Sequence, residues 1–211
     1  MNQSAMPPLF SRPLNLLAAL GVPALALALA ACSPQGSETN EEPPLAGAPI
    51  GGDFELINSK GETVRWADFR GKWTIVYFGY AYCPDICPTD MQRTIQGLKL
   101  FGQEDAERAA SIQPIFISVD PERDTPDVVG QFTSAFSDQL IGLTGTPEQV
   151  KQAGDAFRVY YNRGEDTAGG GYLVDHTNIT YLFDPDGKPI ATLPTDQGPE
   201  AIAAELDKWV S

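Results

Sequence analysis

Two cysteines separated by three residues restrict the chemistry of this chain more than any other feature. Cys83 and Cys87 follow an apolar, β-branched run over residues 73–79, which predicts a buried strand. Pro88 is typical of the first turn of a helix, so the thiols are expected at the N-terminal end of a helix. Unpaired N–H groups and the helix dipole favour the thiolate there, and the thiolate is both the redox nucleophile and the ligand for soft metals.

A structural disulfide is the ordinary use of two cysteines in an exported protein. Residues four apart in a helical turn lie about 6 Å apart, which permits a bridge, but such a short loop would constrain the unfolded chain little. The spacing is not the Cys-x-x-Cys of exchange enzymes. Tyr80 and Pro84 occupy the positions where peroxiredoxins usually carry threonine. Thiol redox chemistry and binding of a soft ion such as Cu(I) therefore remain open.

His176 is the only histidine of the chain and precedes an apolar run over residues 178–183. A single histidine is more often a hydrogen-bonded surface or core residue than a ligand. In thioredoxin-like proteins, however, a proline at the entry to the corresponding strand packs against the dithiol. Residues 175–178 contain no proline, and by this analogy His176 is expected to face the cysteines. Two thiolates and one imidazole suit three-coordinate copper, whereas structural zinc takes four ligands. Asp85 and Asp175 are the candidates for a fourth ligand, although a loop-forming or helix-entry role accounts better for Asp85.

The elements that must position these residues alternate strands with helices. A turn at residues 58–61 predicts a hairpin over residues 53–64, and Thr-Pro pairs predict two helix starts. The expected order is the hairpin, strand 73–79, helix 88–102, strand 112–119, helices after Pro126 and Pro147, strands 178–183 and 189–193, and a last helix after Gly198. This order predicts an α/β, thioredoxin-like fold, in which a central mixed sheet carries helices on both faces beside an N-terminal β-hairpin.

The N-terminal segment predicts export and membrane attachment. An almost wholly apolar run over residues 14–31 ends in Leu29-Ala-Ala-Cys32, which resembles a bacterial lipobox and implies cleavage before Cys32 and lipidation of its thiol. The alternative is an uncleaved membrane helix. The expected division is a signal peptide over residues 1–31, a lipidated Cys32 with a disordered linker over residues 32–50, and the thioredoxin-like copper-binding domain over residues 51–211.

The charge balance excludes some partners. The chain has 28 acidic and 14 basic residues and a formal net charge of −14. Such an acidic surface argues against nucleic acid and against anionic lipid headgroups as partners. It would suit a basic protein partner, although solubility alone is a sufficient explanation.

Four motifs in order resemble the Sco/SenC family. They are Tyr77-Phe-Gly-Tyr-Ala-Tyr-Cys83-Pro-Asp-Ile-Cys87-Pro, Ser118-Val-Asp-Pro-Glu-Arg-Asp-Thr-Pro126, Leu143-Thr-Gly-Thr-Pro147 and Val174-Asp-His-Thr177. The resemblance implies Cys83, Cys87 and His176 as ligands of a copper ion, as Cu(I) or Cu(II). It implies maturation of the copper A centre of cytochrome c oxidase, with the oxidase subunit that carries this centre as partner. Other periplasmic copper carriers or thiol reductants are further partners to expect.

The resemblance leaves the main role of the dithiol open. A copper metallochaperone is expected rather than an enzyme, and the alternative is a membrane-tethered thiol–disulfide reductase, with Cys83 and Cys87 as its redox pair, or a redox or copper sensor. The expected location is the periplasmic side of a bacterial inner membrane, held by the lipid on Cys32. The polar segment over residues 118–126 is interpreted as a turn-building loop, with partner contact as the alternative.

Overall fold

The computed structural model describes residues 41–167 and 170–211, which include one compact unit from Glu41 to Ser211. The strands are β1 Glu55–Asn58, β2 Thr63–Arg65, β3 Trp73–Gly79, β4 Ile112–Ser118, β5 Ile141–Thr144, β6 Tyr161–Asp166, β7 Tyr172–His176, β8 Thr180–Phe183 and β9 Pro189–Leu193. The helices are α1 Ile86–Glu104, α2 Ala106–Ala110, α3 Pro126–Ser134, α4 Pro147–Ala156 and α5 Pro199–Trp209, with short 3-10 turns at Trp66–Phe69 and Thr195–Gln197.

Seven strands form a mixed sheet in the order β2-β1-β5-β4-β3-β8-β9. The central strands β3, β4 and β5 are parallel, and the flanking strands pair with them in antiparallel fashion. The predicted N-terminal hairpin is present as β1 and β2. The thioredoxin-like mixed sheet predicted from the order of elements is therefore confirmed.

Helices cover both faces of this sheet, as the alternation along β3 requires. Tyr77 points toward α1, where its hydroxyl contacts Asp90, and its neighbour Phe116 packs on Phe132 of α3 at a ring distance of 4.8 Å. Phe78 points to the opposite face, where its ring lies 5.4 Å from that of Phe157 at the end of α4. The carboxyl end of β3 is consequently enclosed on both sides before the chain reaches the cysteines.

The helix starts predicted from Thr-Pro pairs are confirmed. Thr125 and Thr146 are the N-caps of α3 and α4, each followed by proline, and Thr146 forms a capping box with Gln149. Helix α1 begins at Ile86, directly after its N-cap Asp85, rather than at Pro88 as predicted. This shift places Cys87 inside the helix.

Three elements were not predicted: the strand β5, the short helix α2, and a separate two-stranded sheet formed by β6 and β7. The pair β6–β7, residues 161–176, is called the His hairpin below because His176 is its last residue. Strand β8 starts at Thr180, two residues later than predicted, because residues 177–179 connect it to the His hairpin.

The last part of the predicted disordered linker is ordered instead. The Leu45 N–H donates to the Ile190 carbonyl at 3.0 Å, and the Gly51 N–H donates to the Ala156 carbonyl at 2.9 Å. Leu45 and Ile50 also pack on the main core, which explains why this segment follows the domain surface. The predicted signal peptide over residues 1–31, Cys32 and the first part of the linker lie outside the described residues. Among the described helices, none has both the length and the apolar character to cross a membrane.

Candidate metal site

The two thiols lie where the chain turns from β3 into α1. The connecting segment, residues 80–85, is called the Cys loop below, and it contains Cys83. The Cys83 N–H donates to the Tyr80 carbonyl at 3.2 Å, and the Cys87 N–H donates to the Cys83 sulfur at 3.4 Å. Only Cys87 belongs to the helix, which corrects the expectation that both thiols occupy its end. Cys83 nevertheless accepts one of the N–H groups that the first helical turn leaves unpaired.

Gly79 brings the end of β3 directly behind the thiols. A Cβ atom at this position would lie 2.8 Å from Cε1 of Tyr77 and 2.9 Å from Sγ of Cys87. These distances are shorter than carbon and sulfur tolerate, so only glycine permits this approach. Cys87 is fully buried as a result, whereas Cys83 keeps 9% of its surface exposed.

His176 completes the site from the His hairpin, as expected from the sequence. Its Nε2 lies 3.2 Å from Sγ of Cys87, and its Nδ1 lies 3.0 Å from the Thr177 carbonyl oxygen. Because a carbonyl can only accept, Nδ1 carries the proton and the lone pair of the neutral ring lies on Nε2. The rings of Tyr77 and Tyr80 meet the imidazole edge-on, at 83° and 90°. The imidazole is thereby held with its free nitrogen toward the sulfur.

The ligand atoms of Cys83, Cys87 and His176 all lie within 4.8 Å of one another, close enough to hold one metal ion. Among the described residues, no carboxylate joins this group, although Asp85 and Asp175 line the cleft above it. Two sulfurs and one imidazole nitrogen suit a soft, three-coordinate ion such as Cu(I) better than four-coordinate zinc.

The two thiols are free, and the proton of Cys87 lies in a hydrogen bond to the Cys83 sulfur. The hydrogen bond from Cys87 lowers the pKa of Cys83, and the backbone N–H groups of Asp85 and Cys87 act in the same direction against burial. Donation to the Cys83 sulfur, together with burial, raises the pKa of Cys87. The resting site therefore contains a Cys83 thiolate beside a Cys87 thiol.

A buried acid beneath the site was not identified from the sequence. Asp90 is 1% exposed, and the Tyr77 hydroxyl lies 3.2 Å from its Oδ2. Burial raises the pKa of Asp90, and burial beside Cys87 and Asp90 raises the pKa of Tyr77. The sequence signal that could have identified Asp90 was its spacing from Cys87, since a residue three positions later lies on the same helix face.

Asp124 fixes the Cys loop from the neighbouring strand end. Its Oδ2 accepts hydrogen bonds from the Ala81 N–H at 2.8 Å and from the Ser118 hydroxyl at 2.6 Å, and its side chain is fully buried. Burial raises the pKa of Asp124. The segment over residues 118–126 thus has the turn-building role that its sequence predicts, and it also holds the loop that carries Cys83.

The fold and the site together define a class: a thioredoxin-like domain that places a Cys-x-x-x-Cys dithiol and one imidazole at the carboxyl end of its parallel strands. The family model described as SCO1/SenC matches residues 42–211. The chain belongs to this family.

Similar proteins occur in bacteria and mitochondria. Protein SenC of Rhodobacter capsulatus is 45% identical over 161 residues, which cover 75% of this chain and 69% of that protein. The mitochondrial protein SCO2 homolog of Bos taurus is 40% identical over 163 residues, which cover 76% of this chain and 60% of the relative. The matched part thus spans 60% to 69% of the length of these relatives.

A solved structure of Bradyrhizobium japonicum ScoI with copper bound has the same fold. It is 38% identical to this chain with a TM-score of 0.68, and the match covers 76% of this chain and 99% of ScoI.

Proposed function

We propose that this chain is a copper metallochaperone that delivers copper to, or matures, the copper A centre of cytochrome c oxidase. One observation carries the proposal: two sulfurs and the unprotonated nitrogen of His176 converge within 4.8 Å. Copper bound in the similar ScoI structure and membership of the SCO1/SenC family support copper as the ion.

Capture and release of copper follow from the hydrogen-bonded proton of the dithiol. Cu(I) meets the Cys83 thiolate first, and binding of the second sulfur displaces the proton of Cys87. His176 supplies the third ligand, and its harder nitrogen also allows the site to hold Cu(II). Thiols of the acceptor then replace these ligands one at a time, and the released dithiol regains its proton.

Thiol–disulfide reduction is the second candidate function, and the lowered pKa of Cys83 favours it. The Cys83 thiolate, which is the more accessible of the two sulfurs, would attack a target disulfide and form a mixed disulfide. Cys87, after losing its proton, would then displace the target thiolate and form the Cys83–Cys87 disulfide. The target gains two electrons and two protons; this chain loses the two electrons and the proton of Cys87, and solvent supplies the second proton.

We further propose attachment through a lipid on Cys32 to the periplasmic side of a bacterial inner membrane. The resemblance of Leu29-Ala-Ala-Cys32 to a lipobox supports this proposal. Radiolabelled palmitate in bacterial cells should label the wild-type chain, and Cys32→Ser should abolish the label.

The first experiment is an anaerobic titration of the reduced chain over residues 33–211, which contains the whole compact unit from Glu41. A competing Cu(I) chelator should report one tightly bound Cu(I) per chain. His176→Ala should weaken binding about 100-fold, or about 2.8 kcal/mol. Unchanged affinity in this variant would show that His176 is not a ligand.

A transfer experiment separates the two candidate functions. The acceptor is the soluble domain of an oxidase subunit that carries copper A, supplied either reduced without metal or oxidised. A metallochaperone supplied with equal amounts of its Cu(I) and Cu(II) forms should produce the mixed-valence copper A absorption in the reduced acceptor. A reductase should only reduce the oxidised acceptor, and His176→Ala should leave that reaction intact.

A further inference from the structure

Exposed apolar side chains surround the metal site. In the part of the chain that the structure describes, the large hydrophobic side chains with more than a third of their surface exposed are Tyr82, Ile86, Tyr160, Leu173 and Ile179. Tyr82 and Ile86 directly precede the two cysteines, and Leu173 and Ile179 each lie three residues from His176. The carbonyl of Tyr160 accepts a hydrogen bond from the N–H of Thr177, the residue that follows His176. Exposed hydrophobics that are scattered singly need no explanation, but their concentration around one site indicates an interaction surface.

The cleft above the thiols is much larger than a metal ion needs. Its volume is about 450 Å³, and Cys83, His176, Ile86 and Leu173 are among its lining residues. A water molecule takes only about 30 Å³ in the liquid, so the cleft has room for several side chains. Because Cys87 is fully buried, a ligand that takes over its copper must enter through this cleft.

The charges at the mouth of the cleft indicate the kind of occupant. Asp85 and Asp175 are exposed there, and neither forms an ion pair with another residue in the described ranges. The lining residues include no lysine or arginine. A cationic partner would gain attraction to both carboxylates without displacing a resident cation.

We infer that this face docks an extended segment of a partner protein in which a cysteine lies between apolar residues and beside lysine or arginine. The partner's thiol enters the cleft, its apolar neighbours cover Ile86 and Leu173, and its cation pairs with Asp85 or Asp175. This inference deepens the proposed function and rests on it.

The test compares transfer of Cu(I) from the loaded chain over residues 33–211 to two synthetic peptides. Both contain the same cysteines and leucines, and one carries lysines where the other carries glutamates. The lysine peptide should accept copper at least about 10-fold faster at low salt, and 0.5 M salt should reduce this difference. Equal rates for the two peptides would overturn the inference.

Surface variants locate the docking face. Leu173→Ser and Asp175→Asn should slow transfer to the lysine peptide about 5-fold to 10-fold, while transfer to dithiothreitol, a small neutral thiol, stays unchanged. Glu107→Gln is the matched control, because Glu107 is exposed on α2, next to the start of β4 and away from the site. Equal slowing with dithiothreitol, or self-association or vesicle binding that Leu173→Ser abolishes, would overturn the inference. If the wild-type chain itself does not bind Cu(I) tightly, that result would instead reject the proposed function.

A separate set of contacts connects the two halves of the metal site through Arg123. Its Nε donates to Asp120, and its Nη1 donates to the Tyr172 carbonyl of the His hairpin at 2.8 Å. Its guanidinium carbon also lies 3.7 Å from the centroid of the Tyr172 ring and 5.6 Å from that of Tyr80 in the Cys loop. The Tyr80 ring in turn contacts His176 edge-on. Arg123 therefore touches both segments that supply the metal ligands.

We propose that Arg123 is a positioning residue that holds His176 in register with the thiols. Among the described residues, the two strands of the His hairpin pair only with each other, so side-chain contacts must orient the hairpin on the domain. Tyr172 strengthens this connection, because its hydroxyl donates to Oδ1 of Asp120 at 2.7 Å. The guanidinium fork and its stacking on Tyr172 are properties that lysine does not reproduce.

Copper(II) affinity and spectra test this second proposal, because Cu(II) depends on the imidazole more than Cu(I) does. Arg123→Met should weaken Cu(II) binding about 10-fold, alter the nitrogen coupling in the electron paramagnetic resonance spectrum, and change Cu(I) affinity less than about 3-fold. In metal-free protein, the amides of Tyr172–His176 should exchange faster. If the methionine variant does not fold, Arg123→Lys takes its place in the test. Lysine retains the charge beside Asp120, and this variant should show a smaller form of the same changes.

A double variant and a control decide how Arg123 acts. Arg123→Met should have no further effect on Cu(II) affinity in a His176→Ala background, because the imidazole that it positions is already absent. Arg163→Met is the matched control, since Arg163 also lies over the Tyr172 ring, at 3.9 Å, but its hydrogen bonds stay within the His hairpin. An equal loss in the His176→Ala background, or an equal effect of Arg163→Met, would overturn the proposal.

Discussion

The Cys loop and the His hairpin supply the candidate ligands of the same site but are attached to the domain in different ways. The Cys loop follows a fully buried strand, is fixed by Asp124, and leads into a helix whose second residue, Cys87, has no exposed surface. The His hairpin is a separate two-stranded sheet, and most of its residues are at least partly exposed. Loops with few buried contacts and exposed hydrogen bonds open at lower free energy than core elements.

This difference indicates a division of roles between the ligands. The sulfurs belong to the rigid part of the molecule and should determine whether copper binds at all. The imidazole belongs to the more weakly attached part, so its contribution can change while the thiols remain in place. A site built in this way can release the nitrogen ligand first when an acceptor approaches.

The largest expected effect is the loss of one sulfur. Cys83→Ser and Cys87→Ser should each weaken Cu(I) binding by about 1,000-fold or more, or about 4 kcal/mol, because one remaining thiolate and an imidazole hold Cu(I) poorly. The same chelator competition that measures His176→Ala provides the comparison. A single cysteine variant that keeps wild-type affinity would contradict the paired-thiolate site.

A methyl group behind the thiols should have the next largest effect. Gly79→Ala places a Cβ within 2.9 Å of Tyr77 and Cys87 atoms and should destabilise the reduced chain by about 1–3 kcal/mol in urea unfolding. Gly102→Ala in α1 is the control, because its nearest contact would be the Ala109 Cβ at 3.2 Å. We expect the control to change the free energy of unfolding by less than about 1 kcal/mol. Equal effects would show that close packing at Gly79 does not matter.

The hydrogen-bonded proton of the dithiol should be visible in its reactivity. Since the pKa of Cys83 is lowered to about 3 from the ordinary 9.0, its thiolate is present throughout the neutral range. The rate of iodoacetamide alkylation should therefore stay nearly constant between about pH 6 and pH 8, where an ordinary thiol reacts about tenfold faster per pH unit. Mass spectrometry should find the label on Cys83.

The variant Cys87→Ala tests the origin of this behaviour. It removes the hydrogen-bond donor that is the main cause of the lowered pKa, so the alkylation rate of Cys83 should again rise with pH. A flat profile in this variant would assign the lowered pKa to the backbone N–H groups instead.

The smallest effect is expected at the base of the His hairpin. Thr177→Val removes the hydroxyl that accepts the Tyr160 N–H at 3.1 Å, which should cost about 0.5–1.5 kcal/mol. Cu(II) affinity should fall a few-fold while Cu(I) affinity hardly changes. Thr177→Ser keeps the hydroxyl and should restore both the stability and the Cu(II) affinity. A larger effect on Cu(I) than on Cu(II) would contradict the separate roles of the thiols and the imidazole.

The core strands and the thiol ligands could be predicted because their signals are local. The apolar run at residues 73–79, the Thr-Pro caps and the cysteine spacing each determine structure within a few residues. The prediction that His176 faces the cysteines used fold analogy in addition, because a contact between residues 89 positions apart has no local signature.

The elements that were missed have weak or conflicting patterns. Strand β6 contains Asn162, Arg163 and Gly164 and lacks an apolar face, because it pairs only with β7. Strand β5 has only four residues, with Gly142 in its middle, where a Cβ would clash with Val129. The structural roles of Asp124 and Arg123 could not be predicted either, since each depends on the exact approach of two distant segments.

The ordered segment before β1 determines how mechanical force enters the domain. Its backbone is bonded to Ile190 at the sheet edge and to Ala156 at the end of α4, and the Arg158 side chain donates to the Pro49 carbonyl. Tension applied to the chain before Glu41 therefore acts first on the ion pair between Glu41 and Lys208, and then on these contacts. None of these contacts belongs to the Cys loop or to the His hairpin. Force applied on the N-terminal side of the molecule therefore does not act directly on the segments that carry the three ligands.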